Sequence, residues 1–237
     1  MTIQEKIEQT REAIKSAFYH EPYYTELMLA ALASRSNILL EGSRGTGKTW
    51  LSKVLLRAID EQLTASQQGY LSADFEQVIA SPDIARLMKG EEQVKFRRIV
   101  EAPIKFFDEI QRLGPSAVSA LFRLLTDGSV EYLDQTRTVE RFMTVATANP
   151  TEHETDTLNI QIPEPLYDRF TATIWIPLAP LSYQAQINGN VQKSFDAIKP
   201  IWSEKDLLEL WEATENIQVP TELELSLIHI SEPTRPY

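Results

Sequence analysis

The sequence predicts an α/β fold in which a parallel sheet is covered by helices on both faces. Three observations carry this. Short, almost wholly apolar runs at residues 38–40, 104–107, 143–148 and 173–176 read as strands buried on both sides. Helical segments alternate with these runs, the order expected of a parallel sheet. A glycine-rich loop stands between the first apolar run and a helix. With 237 residues, the chain is long enough for one such domain with a full core and a little more.

The elements follow in order. Thr2 and Glu5 have the spacing of a capping box, and Ile3, Ile7, Ile14 and Phe18 share a face, so residues 3–19 are expected to be helical. Pro22 breaks that helix, and a second is expected over 24–33. After a turn at 34–37 come the first strand, the glycine loop and a helix from Lys48 to about Leu63. Residues 64–69 read as a loop, 70–79 as a weak strand, and 81–90 as a short helix with Ser81 as N-cap and Pro82 at its first position. Beyond the strand at 104–107, a helix is expected at 115–126. Residues 130–133 and 138–141 flank a polar turn and suggest a hairpin. A helical turn at 165–170 precedes the last strand, and 177–180 reads as a linker. Ser203 and Asp206 mark the start of a helix over 203–214. Lys105 is an oddity inside an apolar run. It is expected at the strand's start, or with its stem snorkelling out.

The loop Gly42-Ser43-Arg44-Gly45-Thr46-Gly47-Lys48-Thr49 fits the pattern G-x-x-x-x-G-K-[ST]. Its glycines allow successive N–H groups to turn inward as an anion nest, and the helix that follows aims its positive end at the same place. Lys48 can then reach the β- and γ-phosphates of a nucleotide, and the Thr49 hydroxyl can ligate Mg²⁺. The strand at 104–107 ends in Asp108-Glu109. Downstream of a phosphate loop, the first carboxylate is expected to order Mg²⁺ and the second to polarise the attacking water. Asn149, at the end of the strand 143–148, can hold that water against the γ-phosphate. Its plainer role is to start the turn before Pro150. The expected metal ligands are therefore Thr49 and Asp108, and the expected catalytic groups include Lys48, Glu109 and Asn149.

In their order, GSRGTGKT, FFDEIQR, TVATANP and PEPLYDRF resemble the MoxR-type ATPases of the AAA+ class, and within them the RavA branch most of all. The resemblance runs from about Glu5 to Leu223. It implies a three-layer P-loop NTPase core over 1–177, then a linker and the start of a helical lid over 178–224. It also implies an ATPase that converts ATP and water to ADP and phosphate. The resemblance implies assembly as a ring, a hexamer, in which Arg169 in Leu166-Tyr167-Asp168-Arg169-Phe170 is an arginine finger reaching the neighbour's ATP. A local salt bridge to Asp168 or Glu164 is the simpler alternative. Arg112 is a weaker candidate for an intersubunit contact. The family further implies a hairpin before the Asn149 strand, chaperone-like remodelling of a protein client or metal-cofactor insertion, and a von Willebrand factor A-domain partner. The alternative is an AAA+ motor that remodels nucleic acid.

Residues 225–237 resemble the translation of a sequencing-library adapter. They read as a non-native tail that leaves the helical lid truncated. The apolar face of the helix before it, with Leu207, Leu210 and Trp211, must then fold back on the core or lie exposed. Composition narrows the rest. The formal charge of −11 argues against a surface that grips nucleic acid throughout. The chain has no cysteines, which excludes disulfides and thiolate metal sites. No apolar run is long enough for a membrane span, and the N-terminus lacks a signal-peptide core, so a cytoplasmic location is expected.

Overall fold

A computed structural model describes residues 1–70, 73–89, 93–149, 162–187 and 191–218. The segment read as an adapter-like tail, Pro150 and the part of the expected lid beyond residue 218 lie outside these. The chain begins with α1 (Ile3–Ala17) and α2 (Pro22–Ser34), followed by β1 (Ile38–Glu41) and α3 (Lys48–Arg57). Next come β2 (Thr64–Gln68), α4 (Phe75–Val78), β3 (Ala80–Pro82), α5 (Ile84–Leu87), β4 (Val94–Phe96) and α6 (Arg98–Glu101). They lead to β5 (Ile104–Asp108), α7 (Pro115–Asp127), β6 (Ser129–Tyr132), β7 (Gln135–Thr138) and β8 (Met143–Ala148). The last elements are α8 (Glu164–Tyr167), β9 (Ala172–Trp175), α9 (Leu181–Ile187), α10 (Val191–Ala197) and α11 (Glu204–Glu215).

Five strands form one parallel sheet in the order β2-β5-β8-β1-β9. The chain therefore leaves β1, next to one edge, for the far edge at β2, returns through β5 to the central β8, and crosses β1 to reach the near edge at β9. The carboxyl ends of β1, β5 and β8 meet at the switch point where open α/β sheets bind ligands. Alternate residues feed two cores. Ile38, Leu40, Phe106 and Val145 pack with α1, α2, α3 and α11, while Leu39, Phe107, Ala146 and Ala148 pack with α7. Burial on both faces is why these strands read as unbroken apolar runs. This layered architecture and strand order are those the resemblance implies.

The apolar face of α11 folds back on the core. Leu207, Leu210 and Trp211 are buried, and the Trp211 indole donates to the carbonyl of Leu32 at 2.9 Å. Ser203 and Asp206 form the capping box expected of them. Asp206 also pairs with Lys6, tying α11 to α1.

Several local expectations are corrected. The stretch read as a loop at 64–69 holds β2, whose Thr-Ala-Ser-Gln-Gln sequence is polar because it is an edge strand. The stretch read as a weak strand at 70–79 holds α4, begun by a capping box between Asp74 and Gln77. Ser81 is not an N-cap. It lies in β3, which pairs antiparallel with β4, and Asp83 caps α5 instead. The helix expected to reach Leu63 stops at Arg57, where Ile59 bridges to Trp202 and a short 3₁₀ turn follows. The hairpin is tighter than expected. Leu133 and Asp134, both at positive φ, make the turn, and the supposed turn residues Gln135–Arg137 belong to β7. Two-residue turns of this hand match the strand twist. Lys105 does not snorkel. It is wholly buried, with its ammonium donating to the carbonyls of Val100 (2.6 Å) and Ala102 (2.5 Å), and burial pushes its pKa down to about 7.

Candidate functional site

The loop after β1 turns on three glycines at positive φ: Gly42 (151°), Gly45 (81°) and Gly47 (92°). Gly42 has a second constraint, since a Cβ there would stand 2.2 Å from the carbonyl oxygen of Ile176. Gly47 caps α3, so the helix amino end opens into the loop. Lys48 is buried, and its ammonium donates to the carbonyls of Gly42 (2.6 Å) and Ser43 (2.8 Å). Burial pushes its pKa down, against the opposing pull of Asp108, Glu109 and Glu41. Thr46 donates to the carbonyl of Ser43, which closes the loop on itself.

Strands β5 and β8 deliver the acidic pair beside this loop. Asp108 Oδ1 accepts from the Thr49 hydroxyl at 2.8 Å and from the Thr147 hydroxyl at 2.6 Å. The Thr147 oxygen in turn accepts from the Glu109 amide at 2.9 Å. Glu109 takes a left-handed backbone conformation (φ 53°, ψ 54°), which lifts its side chain out of the sheet. Three groups hold its carboxylate: Gln68 Nε2 at 3.0 Å, an Arg112 guanidinium nitrogen at 3.0 Å, and Asn149 Nδ2 at 3.2 Å. Arg112 is thus paired within its own chain.

Lys48, Thr49, Asp108, Glu109 and Asn149 therefore converge. A cavity of about 370 Å³ is lined by four of them, Lys48, Thr49, Glu109 and Asn149, with Arg44, Trp50 and Lys53, and Asp108 borders it through its hydrogen bonds to Thr49 and Thr147. A second, apolar cavity of about 250 Å³ adjoins it across Gly45 and Gly47, walled by Phe18, His20, Trp50, Ile187 and Val191. His20 is fixed there, with Nδ1 accepting from the Glu21 amide (2.9 Å) and Nε2 facing the carbonyl of Pro177 (3.1 Å). A polar cradle beside an apolar slot suits a nucleotide, with phosphates in the first and a base in the second. The Thr49 hydroxyl beside the Asp108 carboxylate is an oxygen donor set suited to Mg²⁺, which keeps most of its ligands as water and phosphate.

Arg169 stands apart. It is exposed, lies outside the cavity, and stacks its guanidinium over the Phe122 ring at 4.9 Å. Among the described residues it makes no ion pair with Asp168 or Glu164. Its segment is nonetheless anchored to the loop: the Tyr167 hydroxyl donates to Glu41 Oε1 at 2.5 Å. Burial pushes that phenol's pKa far up, and the Glu41 hydrogen bond adds to the shift. Sequence reasoning missed Thr147 and Gln68. Both sit at or one residue before the carboxyl ends of their strands, a position that could have marked them.

Residues 37–170 match the AAA domain (dynein-related subfamily) family model. The chain is 25% identical over 224 residues to "Uncharacterized protein YeaC" of Bacillus subtilis, covering 88% of this chain and 64% of that protein. It thus spans less than two thirds of that relative's length. The fold is similar to a crystal structure from Cytophaga hutchinsonii described as a "putative ATPase", with a TM-score of 0.78 and 23% identity over 98% of this chain and 70% of the other. The family match covers more than half of the chain and includes the phosphate loop, the acidic pair and Arg169. The chain belongs to the AAA domain family of the dynein-related subfamily.

Proposed function

We propose that this chain binds ATP with Mg²⁺ and hydrolyses it, as a MoxR-type ATPase of the RavA kind. The observation that carries the reading is the hydrogen-bonded line Thr49–Asp108–Thr147–Glu109, which joins the phosphate loop to the acidic pair through one carboxylate oxygen and one hydroxyl. In this reading, the loop amides and Lys48 hold the phosphates, while Thr49 and Asp108 hold Mg²⁺. The ion would neutralise charge on the β- and γ-phosphates. Glu109 orients and polarises the attacking water, and Asn149, already within hydrogen-bond reach of Glu109, fixes it from the other side. The pinned carboxylate fits a resting state. Gln68 and Arg112 must yield at least in part before Glu109 can turn to the water.

Arg169 does not line its own cavity and is stacked on Phe122, so we assign it to the site of a neighbouring copy in a ring. The work done by hydrolysis is read as remodelling of a protein client or metal-cofactor insertion, with a von Willebrand factor A-domain protein as partner. That part rests on the resemblance of the motifs alone. The test is Glu109→Gln in an assembled protein. It is expected to keep Mg–ATP affinity and lose turnover by two orders of magnitude or more, on the order of the ~10²–10⁴ that general-base catalysis contributes. Unchanged turnover would remove Glu109 from the mechanism.

A further inference from the structure

Strand β2 closes one side of the five-stranded sheet and, among the described residues, pairs with β5 alone. Its outer edge faces a groove of about 440 Å³, and residues 65–67 make no main-chain hydrogen bond to any element other than β5 among the described residues. Ser66 is exposed and Gln67 half-exposed. Natural edge strands are commonly blunted by lysine, proline or a bulge on the strand itself. Thr-Ala-Ser-Gln-Gln carries none of the first two and keeps an unbroken five-residue register with β5.

The groove is lined by two arginines against one glutamate, in a chain whose net charge is −11. Arg97 and Arg98 line it, and Lys95 stands two residues before them. All three are exposed, and among the described residues none has a carboxylate partner. The arginines are anchored by carbonyls instead. Arg97 donates through Nε (3.2 Å) and Nη2 (3.0 Å) to Glu76 O, and Arg98 donates to Glu61 O. Such anchoring fixes the guanidinium planes without neutralising them, and leaves further N–H donors on each. Glu61 lines the groove as well.

We propose that the outer edge of β2 is a docking site for an extended acidic peptide of a partner protein. The peptide adds as a sixth strand and places its carboxylates against Arg97 and Arg98. Main-chain pairing with β2 supplies affinity, and the two arginines select for acidic side chains. The five residues of β2 span about 16 Å, enough for a strand of comparable length. The proposal stands independently of the nucleotide reading, since the groove shares no residue with the phosphate-loop cavity.

The probe is a fluorescent octapeptide alternating glutamate and valine, titrated into the full chain by anisotropy. Its controls are the lysine–valine counterpart and versions N-methylated at every residue, which offer no main-chain donor to β2. The glutamate peptide is expected to bind at least about 10-fold more tightly than either control. Arg97→Glu with Arg98→Glu should reverse the charge preference. Equal binding of the N-methylated peptides would overturn strand addition. Equal binding of the lysine peptide would overturn the charge selection. Competition by a single-stranded oligonucleotide at equal or lower concentration would make the groove a phosphate-backbone site and overturn the proposal. Wild-type circular dichroism and thermal unfolding for each variant exclude misfolding.

Discussion

Thr147 donates its hydroxyl proton to Asp108 Oδ1 at 2.6 Å, and the same oxygen accepts the Glu109 amide at 2.9 Å. One buried side chain on β8 thus sets both the carboxylate that faces Thr49 and the strained residue that follows it. Thr147→Val keeps the shape and removes both bonds. A hydrogen bond to a charged group contributes about 1.5–3 kcal/mol, so turnover is expected to fall about 10- to 100-fold. Thr147→Ser should retain most of it. Steady-state phosphate release from the three proteins checks this, and full activity in the valine variant would show that the line of bonds is dispensable.

Lys105 makes the stability of the fold depend on pH. Its folded pKa of about 7 lies below the ordinary lysine value of 10.5, so between these pH values the unfolded chain binds more protons than the native one. Stability should therefore rise with pH across the window from 7 to 10, flatten below it, and carry its full penalty there. The slope from this one group is on the order of 1 kcal/mol per pH unit. Urea unfolding from pH 7 to 9.5 should show the rise in wild type and a flatter profile in Lys105→Met. The restricted range limits tyrosine ionisation, and comparing the two proteins removes what remains. Identical slopes would mean that the ammonium is better solvated than its burial implies.

Arg169 is stacked on Phe122 and kept outside its own cavity, while Tyr167 ties its segment to Glu41. If it acts on a neighbour, Arg169→Ala subunits mixed with Lys48→Ala subunits should regain part of the lost turnover. Some interfaces then pair an intact loop with an intact arginine. Recovery to about a tenth or more of wild type is expected, within the large contribution such arginines make. No recovery in rings shown to be mixed would count against action in trans.

Trp211 anchors α11 to α2 through its buried ring and its bond to the carbonyl of Leu32. Trp211→Ala should cost about 3–5 kcal/mol of stability, because the removed ring leaves a cavity. Chemical denaturation measures this directly. A loss below about 1 kcal/mol would place the helix outside the cooperative core.

Much of this fold could be read ahead of the structure because its central strands are buried on both faces. Residues 38–40 are wholly apolar, 143–148 are interrupted only by Thr144 and Thr147, and the phosphate loop has glycines where the backbone takes positive φ. The edge strand β2 was hidden for the opposite reason. Half its surface meets water, so its residues are polar and carry no periodic signal. The turn at Leu133-Asp134 was hidden because leucine seldom takes a left-handed conformation, and only the strand pairing holds it there. Motif reading located Lys48, Thr49, Asp108, Glu109 and Asn149. It could not reveal that Gln68 and Thr147 complete their hydrogen bonding, because those contacts depend on which strands lie side by side. Helices α9 and α10 carried too little pattern to be expected, yet Ile187 and Val191 wall the apolar slot beside the loop.

The central claim is that the loop around Lys48 binds the phosphates of Mg–ATP. Calorimetric titration of the wild-type chain and Lys48→Ala with a non-hydrolysable ATP analogue and Mg²⁺ tests it most directly. The account predicts saturable binding to wild type and an affinity at least about 10-fold lower, a loss of about 1.4 kcal/mol or more, in a variant that remains folded by circular dichroism. Equal affinity of the two proteins, or no binding to either, would contradict it.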